Sequence, residues 1–444
     1  MPDEWFGTQP RFAGTRLQAA HTVEALAADI DGLAFSIGTA VTPIVLPRSS
    51  YDELFSAAVR LLALLRRAGF DVAATRRGRL AAHGVTEEDW PLFLADDELE
   101  RRYSACIARA DVIVGADGPR FIEFNVSGAV GGVIETHALT HGWRRVQGSR
   151  DGTALDGPDP LDARAALYES VCADLGRPPA VAVVAAVRTL WSDEPSTRYL
   201  DVEVEFLRRR GWLAEHFEPE RLPSALRAGG RLRFPVGLRY LTIAEWREHG
   251  ISLEPVREAL RAGCVLLAPQ SSYFVADKRV LAWLSAGTPW MTAADAAFVG
   301  RYVPWTRVVA DAPAGWRGAR HELPRLLLEQ RERFVLKTAF SMQGQGMTIG
   351  RECSDRAWDQ AVADALARDD VVVQEYVEPA RCDVDFVVGS DGAIETVAMA
   401  PVLSPLVIGH RAAGCYVRYL PGGAVGITSA VRFGAIKNVA FRGR

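Results

Sequence analysis

The run Arg109-Ala110-Asp111-Val112-Ile113-Val114-Gly115-Ala116-Asp117-Gly118-Pro119-Arg120-Phe121-Ile122-Glu123-Phe124-Asn125-Val126 reads as a hairpin. Two short strands, Asp111 to Gly115 and Phe121 to Val126, flank the turn Ala116-Asp117-Gly118-Pro119. Strand side chains alternate, so Phe121, Glu123 and Asn125 share one face while Ile122, Phe124 and Val126 share the other. The second face is apolar and suited to burial; the first presents a carboxylate and an amide. A register that sets Asp111 opposite Asn125, and Ile113 opposite Glu123, makes Asp111 their direct neighbour. That register needs an odd loop, such as Asp117-Gly118-Pro119, because a plain two-residue turn puts Asp111 on the wrong face. Two carboxylates and an amide oxygen form a donor set for a hard divalent cation. Mg²⁺ in particular is usually held by one or two carboxylates, with phosphates completing its shell. The alternative at this point is a solvent-facing polar stripe on an edge hairpin.

Outward from the hairpin, three more segments carry chemistry-bearing residues. Phe334-Val335-Leu336-Lys337 is a strand ending in lysine, followed by a loop that contains Gln343, Gly344 and Gly346. A compact ammonium beside a loop with free backbone N–H groups suits phosphate, although the same pattern serves a tight hairpin. Val371 to Val377 is an apolar strand meeting Gln374, Glu375, Tyr376 and Val377, where backbone groups can meet a purine base. Asp277-Lys278-Arg279 opens an amphipathic helix with Val280, Leu281 and Leu284 on one side.

The 444 residues allow two or three packed subdomains. With 49% hydrophobic and 24% charged residues, the chain can bury a sizeable core. A net charge of −4 leaves no basic excess for nucleic-acid backbones, and no apolar run approaches the ~20 residues that span a membrane. The start Met1-Pro2-Asp3-Glu4 lacks the features of a secretory signal, which points to a cytoplasmic protein. The cysteines 106, 172, 264, 353, 382 and 415 form no Cys-x-x-Cys pair, against a zinc cluster or disulfide framework.

Four divisions follow: a mainly helical region over 1–100, with a helix from Ser50 to Phe70; the hairpin region 101–150; a small α/β domain over 165–275; and a mixed region over 276–444. A Gly/Asp/Pro-rich stretch from Gly148 to Pro160 reads as the linker before the α/β domain. Overall this is a mixed α+β and α/β chain with an antiparallel sheet.

In order and spacing, these pieces resemble the circularly permuted ATP-grasp fold of glutathionylspermidine synthetase and related carboxylate–amine ligases. In that family an Arg-x-Asp pair, followed twelve residues after the Asp by Glu-x-Asn, holds Mg²⁺; Arg109, Asp111, Glu123 and Asn125 reproduce the spacing. Asp277-Lys278 to Leu284, Lys337 with Gly344 and Gly346, and Gln374 to Val377 occupy the places of the family's lysine helix, phosphate lysine with lid, and adenine hinge. The likeness spans about residues 105 to 430. It departs at Thr338, where relatives carry Pro, at Gln345, where they carry Arg, and at Val126-Ser127-Gly128, where an acidic residue and Pro are usual. Nothing matches the amidase domain of the bifunctional relatives.

The resemblance implies ATP and Mg²⁺ as cofactors and small-molecule carboxylate and amine substrates. Asp111, Glu123 and Asn125 would hold the metal; Lys278 and Lys337 would neutralise phosphate; Arg109 would lie near the transferring group. The lid, Ser341 to Gly350 with Gln343, Gly344 and Gly346, would keep water from the acylphosphate, and Gln374, Glu375, Tyr376 and Val377 would meet adenine through backbone groups. Arg188 and Arg239, at the ends of strand-like runs, are the candidates for a substrate carboxylate. A kinase using the same nucleotide apparatus, another acylphosphate-forming enzyme and a non-catalytic ATP-binding protein are the competing readings.

Overall fold

Helix α1 (Arg48–Asp71) carries the first strong period of the chain: Leu54, Ala57, Ala58, Leu61, Leu62, Leu64 and Leu65 are all buried along it. The computed structural model describes residues 5–29, 39–148, 155–190, 197–228, 231–340, 346–388, 393–419 and 435–444. Within them three larger sheets are built from fourteen strands. In chain order these are β1 (Ile44–Leu46), β2 (Ile107–Gly115), β3 (Gly118–Val126), β4 (Ala180–Val184), β5 (Leu213–Phe217), β6 (Val236–Arg239) and β7 (Val265–Leu267). They continue as β8 (Thr306–Val308), β9 (Phe334–Thr338), β10 (Met347–Ile349), β11 (Val371–Glu375), β12 (Val402–Ile408), β13 (Arg411–Tyr419) and β14 (Ile436–Arg442).

The central sheet has the order β1-β14-β13-β12-β2-β3 and is antiparallel except for the β1–β14 pair. One face is apolar: Ala108, Ala110, Val112, Phe124, Leu403, Val407, Cys415, Val417 and Tyr419 form a single core with the stripe of α1. The opposite face carries the polar partners of that alternation, Arg109 and Asp111 on β2, Ser404 on β12, and Tyr416 and Arg418 on β13. Strand β1 comes from the first hundred residues and β14 from the last ten, so the sheet interleaves segments that the sequence presents far apart.

The second sheet, β7-β6-β4-β5, is wholly parallel. The run Ala180 to Val184 is buried on both faces, as a central parallel strand requires, with Val181 and Val183 in one core and Ala180, Ala182 and Val184 in the other. Helices α2 (Val133–Gly148) and α3 (Pro160–Asp174) connect the two sheets, and α4 (Arg198–Arg209) lies between β4 and β5 in the chain. The stretch expected as a linker ends in structure: the Asp159 carboxylate accepts the Leu161 N–H and caps α3, which packs on β12 and β13. Residues 149–154 lie outside the described residues.

The third sheet, β8-β11-β9-β10, is antiparallel. Phe334, Leu336, Val371 and Val373 face a core with Leu326, Leu327, Trp358 and Val362, the last two on α6 (Asp355–Leu366). The opposite face carries Thr306, Gln374, Val335 and Lys337. Helix α5 (Lys278–Ala286) precedes this sheet in sequence and buries Val280, Leu281 and Leu284 in the α1 core. No helix among the described residues is long and apolar enough to cross a membrane.

Candidate active site

The hairpin forms by a different device from the one its sequence suggests. The turn is the two-residue kind, with Gly115 opposite Gly118 and Gly118 at φ +101°. By itself that register sets Asp111 on the wrong face. A β-bulge at Ile122 shifts β3 by one residue, so that Asp111 faces Glu123 and Arg109 faces Asn125. The expected pairing of Asp111 with Asn125 is therefore corrected by two residues, to Glu123, while all four side chains still share one face. Phe121 also moves: it stacks on Phe124 in the apolar core, its ring centroid 5.7 Å away, rather than sharing the face of Glu123.

Asp111 is the electrostatic centre, 4% exposed. Its Oδ1 accepts from Arg418 Nη2 at 2.7 Å, Ser404 Oγ at 3.1 Å and Arg109 Nε at 3.2 Å. Its Oδ2 has longer contacts, 3.4 Å to Arg109 Nη2 and 3.5 Å to Asn125 Nδ2. Burial alone would raise this carboxyl's pKa, but the guanidiniums of Arg109 and Arg418 hold it well below the ordinary carboxylate range. Arg109 also donates to the Gly131 carbonyl at 3.0 Å, which ties the loop after β3 to the same cluster.

Glu123 lies 3.1 Å from Lys278 Nζ. That lysine opens α5, where Asp277 caps the helix through the Arg279 N–H and is itself held by His83 Nδ1 at 2.7 Å. The Lys278 N–H donates to the Ala339 carbonyl, just past the end of β9. Lys337, on β9, is 6% exposed; its ammonium donates to Gln374 Oε1 at 2.6 Å and to the Ile122 carbonyl, within the bulge, at 3.2 Å. Burial, opposed by Glu123 and reinforced by the Lys278 charge, brings its pKa down to about 8. Gln374 is oriented in turn by donating to Thr306 Oγ1 at 3.1 Å.

The structure thus brings Arg109, Asp111, Glu123, Asn125, Lys278, Lys337 and Gln374 together from two sheets and a helix. Four cations, with Arg418, surround two carboxylates, an electropositive environment fitted to a polyanion. The donor set also fits a hard cation. Asp111 Oδ2 has only long contacts, Glu123 is a quarter exposed, and a 180° rotation of the Asn125 amide turns its oxygen inward.

Other sequence-predicted residues lie differently. Gln343 and Gly344 fall outside the described residues; Gly346, at φ +66°, accepts the Thr338 N–H through its carbonyl. The N–H groups of Glu375 and Tyr376 already donate to the Trp305 and Arg333 carbonyls, so a purine there would meet other backbone groups. Glu375 pairs with Arg317 at 2.7 Å, Tyr376 carries Arg351 3.9 Å from its ring centroid, and Val377 packs beside Gly115. Arg188 is exposed, and among the described residues no hydrogen bond or ion pair links its side chain to the cluster. Arg239 is buried, 3.5 Å from Gln270 Oε1, and its Nε and Nη2 have no hydrogen-bond partner among the described residues. Its carbonyl abuts Gly128, where an added Cβ would come within 2.5 Å.

Arg418 and Ser404 complete the cluster without belonging to any motif of the sequence. The available signal was an arginine alternating into an otherwise apolar run, Cys415-Tyr416-Val417-Arg418-Tyr419, which marks a charge on the polar face of a buried strand.

No family model and no curated protein matches the sequence. Among solved structures, a glutathione synthetase-like effector of Globodera pallida, in its apo form, superposes with a TM-score of 0.58 at 12% identity, covering 98% of this chain and 100% of the effector. The chain has a glutathione synthetase-like fold. A Methylobacillus flagellatus structure, named as a candidate gamma-glutamylcysteine synthetase, covers 85% of this chain and 87% of its own at 14% identity, but its TM-score of 0.40 is too low to add to that finding.

Proposed function

We propose that this chain is an ATP-dependent carboxylate–amine ligase of the circularly permuted ATP-grasp type. The observation that carries the reading is the meeting of Asp111, Glu123 and Asn125 with Lys278 and Lys337, which come from segments more than 150 residues apart. A glutathione synthetase-like fold supports it. In the proposed reaction a substrate carboxylate oxygen attacks the γ-phosphorus of ATP, and the bond to the β–γ bridging oxygen breaks, releasing ADP. An amine then attacks the acyl carbon of the acylphosphate, phosphate leaves, and the amine nitrogen loses a proton.

The protein's share is positioning and charge neutralisation. Asp111, Glu123 and Asn125 would hold Mg²⁺, which supplies neutralisation of the phosphates when bound. Lys278 and Lys337 offset phosphate charge from a dry setting, where each contact is worth more than in water. Arg109, pinned to Asp111 and the Gly131 carbonyl, would meet the transferring group. Gln343, Gly344 and Gly346 would belong to a lid, and Gln374 to Val377 to an adenine hinge. For the substrate carboxylate we assign Arg239 ahead of Arg188, because two nitrogens of its buried guanidinium have no hydrogen-bond partner among the described residues.

The test is ADP release with Mg-ATP against pooled acids, amines, amino acids and polyamines, with Glu123→Gln and Lys337→Ala alongside. Release that needs both an acid and an amine, and is lost in both variants, supports the ligase. Release that needs no amine makes it a kinase; failure to bind Mg-ATP overturns the family reading.

A further inference from the structure

Helix α2 carries His137 and His141 one turn apart, on the same face, and that face meets Asp159 at the N-terminus of α3. His137 Nδ1 lies 2.8 Å and 2.9 Å from the two carboxylate oxygens, and His141 Nε2 lies 2.6 Å from one of them. The three ligand atoms all fall within 4.8 Å of one another. We propose that His137, His141 and Asp159 are a binding site for a borderline divalent transition ion such as Zn²⁺, separate from the hairpin cluster and independent of the ligase reading.

The chemistry of the set selects the ion. Imidazole with one carboxylate suits Zn²⁺, Co²⁺ or Ni²⁺, whereas Mg²⁺ and Ca²⁺ take all-oxygen shells. Donors about 2.1 Å from one ion stand roughly 3.4 Å apart in a tetrahedron, and the separations here, from 2.6 Å up to 4.8 Å, bracket that value. The surroundings hold the ligands in place. The Leu161 N–H donates to Asp159 Oδ1 at 2.8 Å, and the Phe206 ring packs edge-on against His137 at 5.5 Å. Among the described residues Arg144, on the same helix, spends its guanidinium on the Leu155 and Gly157 carbonyls rather than on Asp159. His137 and Asp159 are mostly buried while His141 is 54% exposed, so the open coordination position faces solvent.

Titration of the metal-free full-length protein with Co²⁺, followed by its visible d–d bands and competed with Zn²⁺, tests this. Wild type and Glu123→Gln should give the same imidazole-type spectrum at one equivalent. His141→Ala, a change at an exposed position, should weaken that binding by ~10-fold or more. His137→Ala should do the same. A featureless titration, or Co²⁺ binding that is unaltered in His141→Ala and lost in Glu123→Gln, overturns the proposal.

Discussion

Gln374→Leu removes the amide oxygen that accepts from the Lys337 ammonium at 2.6 Å while keeping most of the side-chain volume. Lys337 is buried and already titrates at about 8, so the lost contact falls on a charge with few other partners. A hydrogen bond to a charged group contributes ~1.5–3 kcal/mol, equivalent to about one to two pK units, which lowers Lys337 to about 6–7 in the variant. At pH 8 wild type is then roughly half protonated there and the variant ~1–10%. If the protonated lysine is what binds phosphate, Mg-ADP affinity at pH 8 drops ~5- to 50-fold, and at pH 6 the protonation part of the gap shrinks to about twofold or less. Calorimetric titration with Mg-ADP from pH 6 to pH 9 reads both quantities. A gap that is absent, or that is the same at every pH, refutes the reasoning, because only a coupled proton makes it close.

In wild type the same coupling works with a definite sign: the folded pKa of Lys337 is depressed, so phosphate binding must take up a proton above pH 8, and Mg-ADP affinity should fall by up to tenfold per pH unit there. Thr306→Val should reproduce the Gln374→Leu effect in weaker form, since Thr306 Oγ1 only orients the amide; nucleotide titration at pH 8 checks it. Asp111→Asn removes the buried carboxylate that Arg109 and Arg418 share and should cost ~3–5 kcal/mol in denaturant unfolding, whereas Glu123→Gln, at a quarter-exposed site, should abolish activity with far less loss of stability. Gly128→Ala would set a Cβ 2.4 Å from the Leu267 carbonyl and 2.5 Å from that of Arg239, both backbone atoms, and should lower the melting temperature by several degrees.

Much of the site could be read from the chain because its parts obey local rules. Strand alternation sorts Glu123 and Asn125 from Phe124 and Val126, and an Asp before an amphipathic period announces the cap beneath Lys278. What could not be read is non-local. Nothing within β9 says that Lys337 will reach the Ile122 carbonyl 215 residues away, and nothing within β13 says that Arg418 will become the counter-charge of Asp111. Gln374 was expected to act through its backbone; its side chain is committed instead to Lys337, a partnership set by a diagonal across two antiparallel strands. The register of the hairpin departs from the one its sequence suggests for a related reason. Turn length and bulge are interchangeable ways to fix parity, and only the second is used.

That exchange has a consequence for how the site tolerates change. The correct face for Asp111 is stored in one backbone residue, Ile122, and not in the exposed Ala116-Asp117 turn that precedes it. Lengthening the Ala116-Asp117 turn by two residues preserves the parity of every side chain below it. Closing the bulge so that Ile122 pairs directly with Asp111 would turn Glu123 and Asn125 to the opposite face and withdraw the carbonyl that receives Lys337. One irregular peptide thus acts as a shared fastener between two sheets: whatever shifts the hairpin also moves the lysine's anchor, so the carboxylates and the ammonium travel as a unit.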